Sequence, residues 1–114
     1  LYRQRILLAV DGRRIDSARY RVTAIGEIDL SSTQELVDEC ERALRLPIAT
    51  LELDLSGVSF LDSTGIRCLV DCRRRCSTLG VSLEVDSGPA ADRALMLVGL
   101  GFPSIGSRRS SNGA

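Results

Sequence analysis

The chain has 114 residues, 44% hydrophobic and 26% charged, enough for one domain around one core; with aromatics at 4% and no Trp, that core is aliphatic. Lys+Arg and Asp+Glu are both 15, but the charge is segregated: six Arg against Asp11 and Asp16 over residues 1–21 (net +4), nine acids against Arg42 and Arg45 over 27–62 (net −7), and net +3 beyond. This speaks against a nucleic-acid binder, which needs a net basic face with aromatics to stack on bases; it fits a protein contact through the acidic centre, or simply a solvated charged surface.

Residues 5–10 (RILLAV) predict a first strand, with Asp11-Gly12 as the turn after it. Residues 19–27 predict a second, in which Tyr20, Val22 and Ala24 alternate with Arg19, Arg21 and Thr23. Ser32 to Glu35 has the spacing of a capping box, and Leu36, Val37, Cys40, Ala43 and Leu44 follow at helical intervals. A first helix is therefore expected over about 32–45, stopping before Pro47. In residues 49–55, Leu51, Leu53 and Leu55 alternate with Glu52 and Asp54, a strand that Gly57 is expected to end.

A second helix is expected over roughly 64–78, with Ile66, Leu69, Val70 and Cys76 on its apolar side and Gly80 as its stop. Val81, Leu83 and Val85 against Ser82 and Glu84 predict another strand. Ser87-Gly88-Pro89 opens a third helix with Ala91, Ala94, Leu95 and Val98 on one face, and Phe102 and Ile105 are expected to dock the segment beyond it. The order ββαβαβα implies an α/β domain, a small mixed sheet with parallel core strands and helices mainly on one face. Residues 1–106 make up the domain, and the apolar-free stretch 107–114 is expected to be a disordered tail.

There is no His, so Ser-His-Asp and Cys-His sets cannot be assembled, and neither a P-loop nor G-x-G-x-x-G is present. Glu27, Asp29, Asp54 and Asp62 could gather at strand ends, but paired carboxylates are common and acid–base catalysis is not favoured. No enzyme activity and no cofactor are expected. The longest apolar runs, Ile6–Val10 and Ala94–Val98, are too short to span a bilayer, and no secretory leader is visible. Four cysteines in that setting point to free thiols in the cytoplasm. Cys68, Cys72 and Cys76 are spaced four apart, so the outer two stand about 12 Å apart along a helix at ~1.5 Å per residue. One zinc, binding sulfur at ~2.3 Å, cannot take all three, so no metal is expected. Cys68 and Cys76 read as core residues with Cys72 nearer the boundary. The alternative is a redox-sensing thiol activated by Arg73, Arg74 and Arg75.

One stretch is more specific. Asp54-Leu55-Ser56-Gly57 through Asp62-Ser63-Thr64-Gly65 resembles the signature of bacterial anti-sigma-factor antagonists of the STAS family, in which a strand ending D-L-S leads to D-S-[ST]-G at a helix start. Gly26-Glu27-Ile28-Asp29 resembles the family's G-E-[IL]-D, and Pro89 to Gly101 its last helix and following turn, so the likeness covers roughly 19–105. It implies a phosphorylation-switched protein that binds an anti-sigma factor, often a serine kinase with a histidine-kinase-like ATPase fold, and so releases a sigma factor for transcription. Ser63 would be the phosphoacceptor, with Thr64 as the alternative. Glu27, Asp29, Asp62, Ser63, Thr64 and Gly65 would form the partner surface, with Asp29 and Ser63 at one end of the sheet. A PP2C-type phosphatase would reverse the switch, and ATP and metal would belong to the partners. The helix N-terminus, with free N–H groups and a positive dipole end, is expected to accommodate the phosphate. Ser63 and Thr64 could instead merely cap the second helix. A ligand-sensing or transport-associated STAS module, not controlled by phosphorylation, is the other functional reading.

Overall fold

The apolar alternation in three of the strands resolves into one face of a single sheet in the computed structural model, which describes residues 8–106. The elements are β1 (Leu8–Arg14), β2 (Arg19–Ile28), α1 (Thr33–Leu44), β3 (Thr50–Leu61), α2 (Ser63–Leu79), β4 (Ser82–Asp86) and α3 (Gly88–Leu97). The strands lie in the order β1-β2-β3-β4; β1 runs antiparallel to β2, and the β2–β3 and β3–β4 pairs are parallel. Register sets Tyr20, Leu51 and Leu83 side by side, then Val22, Leu53 and Val85, all buried. Leu36, Cys40, Ala43 and Leu44 of α1, Leu69, Cys72 and Cys76 of α2, and Ala91 and Leu95 of α3 close over this face in one apolar cluster. Each fully buried Leu in it contributes about 1.5–3 kcal/mol by leaving water.

The helix-free face differs from what alternation alone suggests. Glu52 and Glu84, read as polar partners of the core leucines, are fully buried there. Arg19 Nη1 reaches Glu52 Oε2 at 2.9 Å and Glu84 Oε1 at 3.3 Å, and Arg21 holds the other oxygen of Glu52 at 2.9 Å. The chain beyond α3 runs along the edge of β4: Val85 N–H donates to the Pro103 carbonyl (2.7 Å) and Gly106 N–H to Glu84 Oε1 (2.9 Å). Phe102 packs partly buried against the core, under the Arg73 guanidinium, as a docking residue should.

Several expectations need correction. Asp11 and Gly12 form no turn; β1 passes through them to Arg14, with Gly12 opposite Val22. Gly12 is a packing glycine, since a Cβ there would fall on Glu39 Oε2 and within 2.6 Å of the Tyr20 hydroxyl that donates to it. The turn comes later, at Asp16, whose Oδ1 accepts from the N–H groups of Ala18 and Arg19, each at 2.9 Å. Gly57 does not end β3, which continues to Leu61 by adding extra residues against β2. Ser32 precedes α1 but its side chain does not cap it. Val98 lies just past α3 and is exposed. The start of the first strand at residues 5–7 and the expected disordered tail at 107–114 fall outside the described residues.

Candidate functional site

Parallel neighbours finish on the same side of a sheet, and β2 and β3 end as a registered pair, Ile28 beside Leu61. Asp62 N–H extends the ladder by donating to the Ile28 carbonyl at 3.2 Å. The next residue on each strand is an aspartate, so Asp29 and Asp62 occupy one rim. Asp62 is extended (φ −99°, ψ −170°) and caps α2: its Oδ1 accepts from the N–H groups of Thr64 (2.9 Å) and Gly65 (3.1 Å) and from the Thr64 hydroxyl (2.5 Å). Asp29 Oδ1 accepts from Ser31 N–H (3.0 Å) and Ser31 Oγ (2.8 Å). Ser32, instead of capping α1, accepts from Asp29 N–H (3.0 Å) and donates to the Glu27 carbonyl (2.7 Å), locking the turn that aims Asp29.

These bonds lower the pKa of both acids. For Asp62 the Thr64 hydroxyl leads, against desolvation, with the Gly65 and Thr64 N–H groups adding and the Asp29 charge opposing. For Asp29 the Ser31 hydroxyl leads, again against desolvation. Two fixed negative charges therefore mark the rim at neutral pH. Glu27 is still inside β2, opposite Phe60, and half-buried on the helix-free side of the same end.

Ser63 is the first residue of α2, exposed, and its hydroxyl makes no hydrogen bond among the described residues. Thr64 is half-buried with its hydroxyl committed to Asp62. Gly65 is buried where the helix lands on the strand ends; a Cβ there would collide with Leu61 Cδ1 and stand 2.9 Å from Ile28 Cγ2. The expectation that free first-turn N–H groups receive a phosphate is not met. Asp62 takes those of Thr64 and Gly65, and its carbonyl accepts from Ile66 at 3.0 Å, which leaves only that of Ser63.

All six residues singled out from the sequence thus lie at one end of the sheet. Ser31 and Ser32, which orient Asp29, were not singled out, although Ser one to three positions after Asp is the pattern of a side-chain-closed turn. The clefts between β4, α3 and residues 100–105 are lined by none of these six residues. Among the described residues no group of three His, Cys, Asp or Glu could hold a metal, and no helix is long and apolar enough to cross a membrane. Cys40, Cys68, Cys72 and Cys76 are free thiols and all buried, Cys72 included. The activating arginines of the redox reading point elsewhere: Arg73 to Phe102 and the Gly101 carbonyl, Arg74 to Asp71, Arg75 to Glu41. Burial, with the Asp71 charge, pushes Cys68 up to about 11. Hydrogen bonding with the Cys40 thiol, and burial, raise Cys72 against an opposing bond with Cys76, while the bond with Cys72, and burial, raise Cys76.

The family model described as Mlab, STAS domain, matches residues 12–101. The chain belongs to the STAS domain family. Among solved structures it is similar to an anti-sigma factor antagonist from Mycobacterium paratuberculosis, with 27% identity over 85% of this chain and 84% of that one and a TM-score of 0.72. The anti-sigma factor antagonist SpoIIAA in its unphosphorylated form matches at 17% identity over 82% and 83% of the two chains, with a TM-score of 0.70. The Bacillus SpoIIAA in its phosphorylated form matches at 17% over 82% and 86%, with 0.66. SLC26A9 matches at 20% over 79% of this chain but only 19% of its own, with 0.54. The last three establish the shared fold, a four-stranded mixed STAS sheet with three helices. No curated protein matches the sequence. STAS domains of the antagonist type are binding modules that catalyse nothing themselves.

Proposed function

We propose that this STAS domain is an anti-sigma-factor antagonist that binds an anti-sigma factor through the Glu27–Asp29–Asp62 rim and is switched off by phosphorylation of Ser63. The observation that carries this reading is the division of labour at the start of α2. Asp62 and Thr64 make the cap between them, and the one hydroxyl left exposed and uncommitted is that of Ser63. The 27% identical antagonist from Mycobacterium paratuberculosis, covered over most of its length, supports the partner class. Capping explains Asp62 and Thr64 and leaves Ser63 without a structural task, which favours Ser63 over Thr64 as phosphoacceptor.

The kinase is proposed to be the anti-sigma factor itself, of histidine-kinase-like ATPase fold, opposed by a PP2C-type phosphatase, all in a bacterial cytoplasm. A phosphoserine adds about −1.5 to −2 charges at pH 7. With the cap filled, that charge gains only the dipole of α2 and the Ser63 N–H, and stands beside two ionised aspartates. The fold has no reason to rearrange. A partner complementary to the rim must instead desolvate a dianion to close, and a loss of ~3 kcal/mol weakens binding more than a hundredfold. The test is incubation with the cognate anti-sigma kinase and ATP, with site mapping and a binding titration. Ser63→Ala should stay bound and Ser63→Glu should bind at least a hundredfold more weakly. Phosphate found only on Thr64, or release of Ser63→Ala by kinase and ATP, would remove Ser63 from the role. The likeness to part of SLC26A9 favours, as the second reading, a transport-associated module that no kinase controls, in which case neither substitution would matter.

A further inference from the structure

The end of the sheet beside the rim is reshaped by two irregularities in β3. While β2 advances from Thr23 to Ile25, β3 advances from Asp54 to Gly57; while β2 steps from Gly26 to Glu27, β3 goes from Val58 to Phe60. Each extra residue is a bulge that resets the alternation of β3. Val58 and Leu61 consequently reach the core, and Gly57 and Phe60 fall on the helix-free side beside Ile25 and Glu27. Gly26, facing the second bulge from β2, has φ +120°, a conformation that favours glycine.

The result is that apolar side chains inside strands are held in water. Ile25 is 57% exposed and Phe60 48%. Gly57 keeps the strip flat, since a Cβ there would stand 3.0 Å from Ile25 Cγ1, and exposed Ala9 of β1 pairs with Ile25 on the other side. Leu30, the residue after Asp29, is 79% exposed. Single exposed apolar residues need no explanation, but register sets Ile25 opposite Gly57 and Phe60 opposite Glu27, diagonal neighbours on one face, on strands that run on to Asp29 and Asp62. An apolar centre edged by charge is the anatomy of a protein interface, in which a few large apolar anchors carry most of the affinity.

We propose that the partner surface has two parts: an apolar ledge of Ile25 and Phe60 that anchors the anti-sigma factor, and the rim bearing Ser63 that decides whether it stays. The occupant is accordingly a protein face with an apolar patch bordered by Arg or Lys, complementary to the acidic rim with which the ledge is continuous. This rests on the antagonist reading above and adds the anchor to it.

The probe is the purified anti-sigma factor of the same organism, titrated calorimetrically with the full chain and with Phe60→Ser, Ile25→Ser, Ser63→Glu and, as a control, Met96→Ser, which is 77% exposed on α3. Phe60→Ser and Ile25→Ser should each weaken binding roughly ten- to a hundredfold at an unchanged circular dichroism spectrum, with Met96→Ser within twofold. The two ledge variants guard against misfolding of either. If both keep wild-type affinity while Ser63→Glu loses it, the ledge is not the anchor and the antagonist reading stands. If the wild-type chain does not bind the factor at all, both fall. Sedimentation decides the remaining case: a wild-type dimer that Phe60→Ser abolishes would assign the ledge to a second copy of the chain and overturn the proposal.

Discussion

Replacing Arg19 with Met is the sharpest test of how the helix-free face is held together. Arg19 has only 12% of its side chain exposed and serves two carboxylates that are wholly buried, Glu52 at 2.9 Å and Glu84 at 3.3 Å. Burial works against its charge, but the hydrogen bond to Glu52 and the attraction of Glu84 outweigh it and raise its pKa. Removing one member of a buried ion pair costs about 3–5 kcal/mol, because the partner charge stays buried without compensation. Glu52 keeps Arg21 on its second oxygen, so the damage falls on Glu84. Its Oε1 retains the Gly106 N–H, while its Oε2 has no hydrogen-bond partner among the described residues. That argues for the lower figure, about 3 kcal/mol, against a total stability of roughly 5–15 kcal/mol for a small domain. At about 4–8 °C per kcal/mol the melting temperature should fall by roughly 12–24 °C. Urea unfolding followed by circular dichroism measures the loss directly. Adding Glu84→Gln to Arg19→Met should recover much of it, since the neutral amide removes the stranded charge. A single-variant loss under about 1 kcal/mol, or no recovery in the double variant, would show that the cluster is solvated and does not act as described.

Two further outcomes follow from packing. Gly65→Ala sets a Cβ against Leu61 and the β-branched Ile28, overpacking worth about 1–3 kcal/mol that a helix-propensity gain of up to ~1 kcal/mol only partly offsets; a net loss of about 1–2 kcal/mol in urea unfolding is expected, and unchanged stability would mean that the α2 landing is looser than it looks. The thiols should resist iodoacetamide at pH 8 in the native protein and give four adducts by mass after denaturation, because buried Cys68 titrates near 11 and Cys72 and Cys76 lie higher still; fast native labelling of any of these three would contradict their burial.

The fold was legible wherever period and punctuation agreed. Leu51, Leu53 and Leu55 declare a strand by strict alternation, and Gly80, at φ +73°, stops α2 where a left-handed residue must. The failures share a cause: a local signal whose meaning is set by a distant neighbour. Gly12 looks like a turn after Asp11, but the room it makes is for Glu39 and Tyr20. Gly57 looks like a stop, but the strand continues through it, opposite Ile25, because β2 supplies ladder partners as far as Leu61. Glu52 and Glu84 look like surface residues until Arg19, on the polar side of the β2 alternation, is seen to bridge them. The rim residues fall in two short runs, Glu27 to Asp29 and Asp62 to Gly65, that the paired strand ends bring together, whereas Phe60 and Ile25 went unremarked. Their exposure depends on two bulges, and a bulge shows only in the offset between two strands that sequence spacing does not pair.

The cap on α2 also bears on the proposed switch at Ser63. A helix start with its N–H groups open would bind a phosphate on Ser63 tightly, pull the modified side chain inward and hide the charge from any partner. Here Asp62 fills that position with a carboxylate whose pKa is depressed by the same Thr64 and Gly65 groups a phosphate would need. Its ionised form, and with it the cap, persists as long as the pH stays above that lowered value and is lost only as pH falls through it. At neutral pH a phosphoryl group on Ser63 therefore meets a satisfied helix end and two negative neighbours, and the favourable direction for it is outward. The geometry that stabilises the domain would thus turn the proposed phosphoryl group outward. On the proposed reading, the cap made by Asp62, Thr64 and Gly65 holds the helix start, while Ser63, which makes no hydrogen bond there among the described residues, is free to be modified without disturbing it.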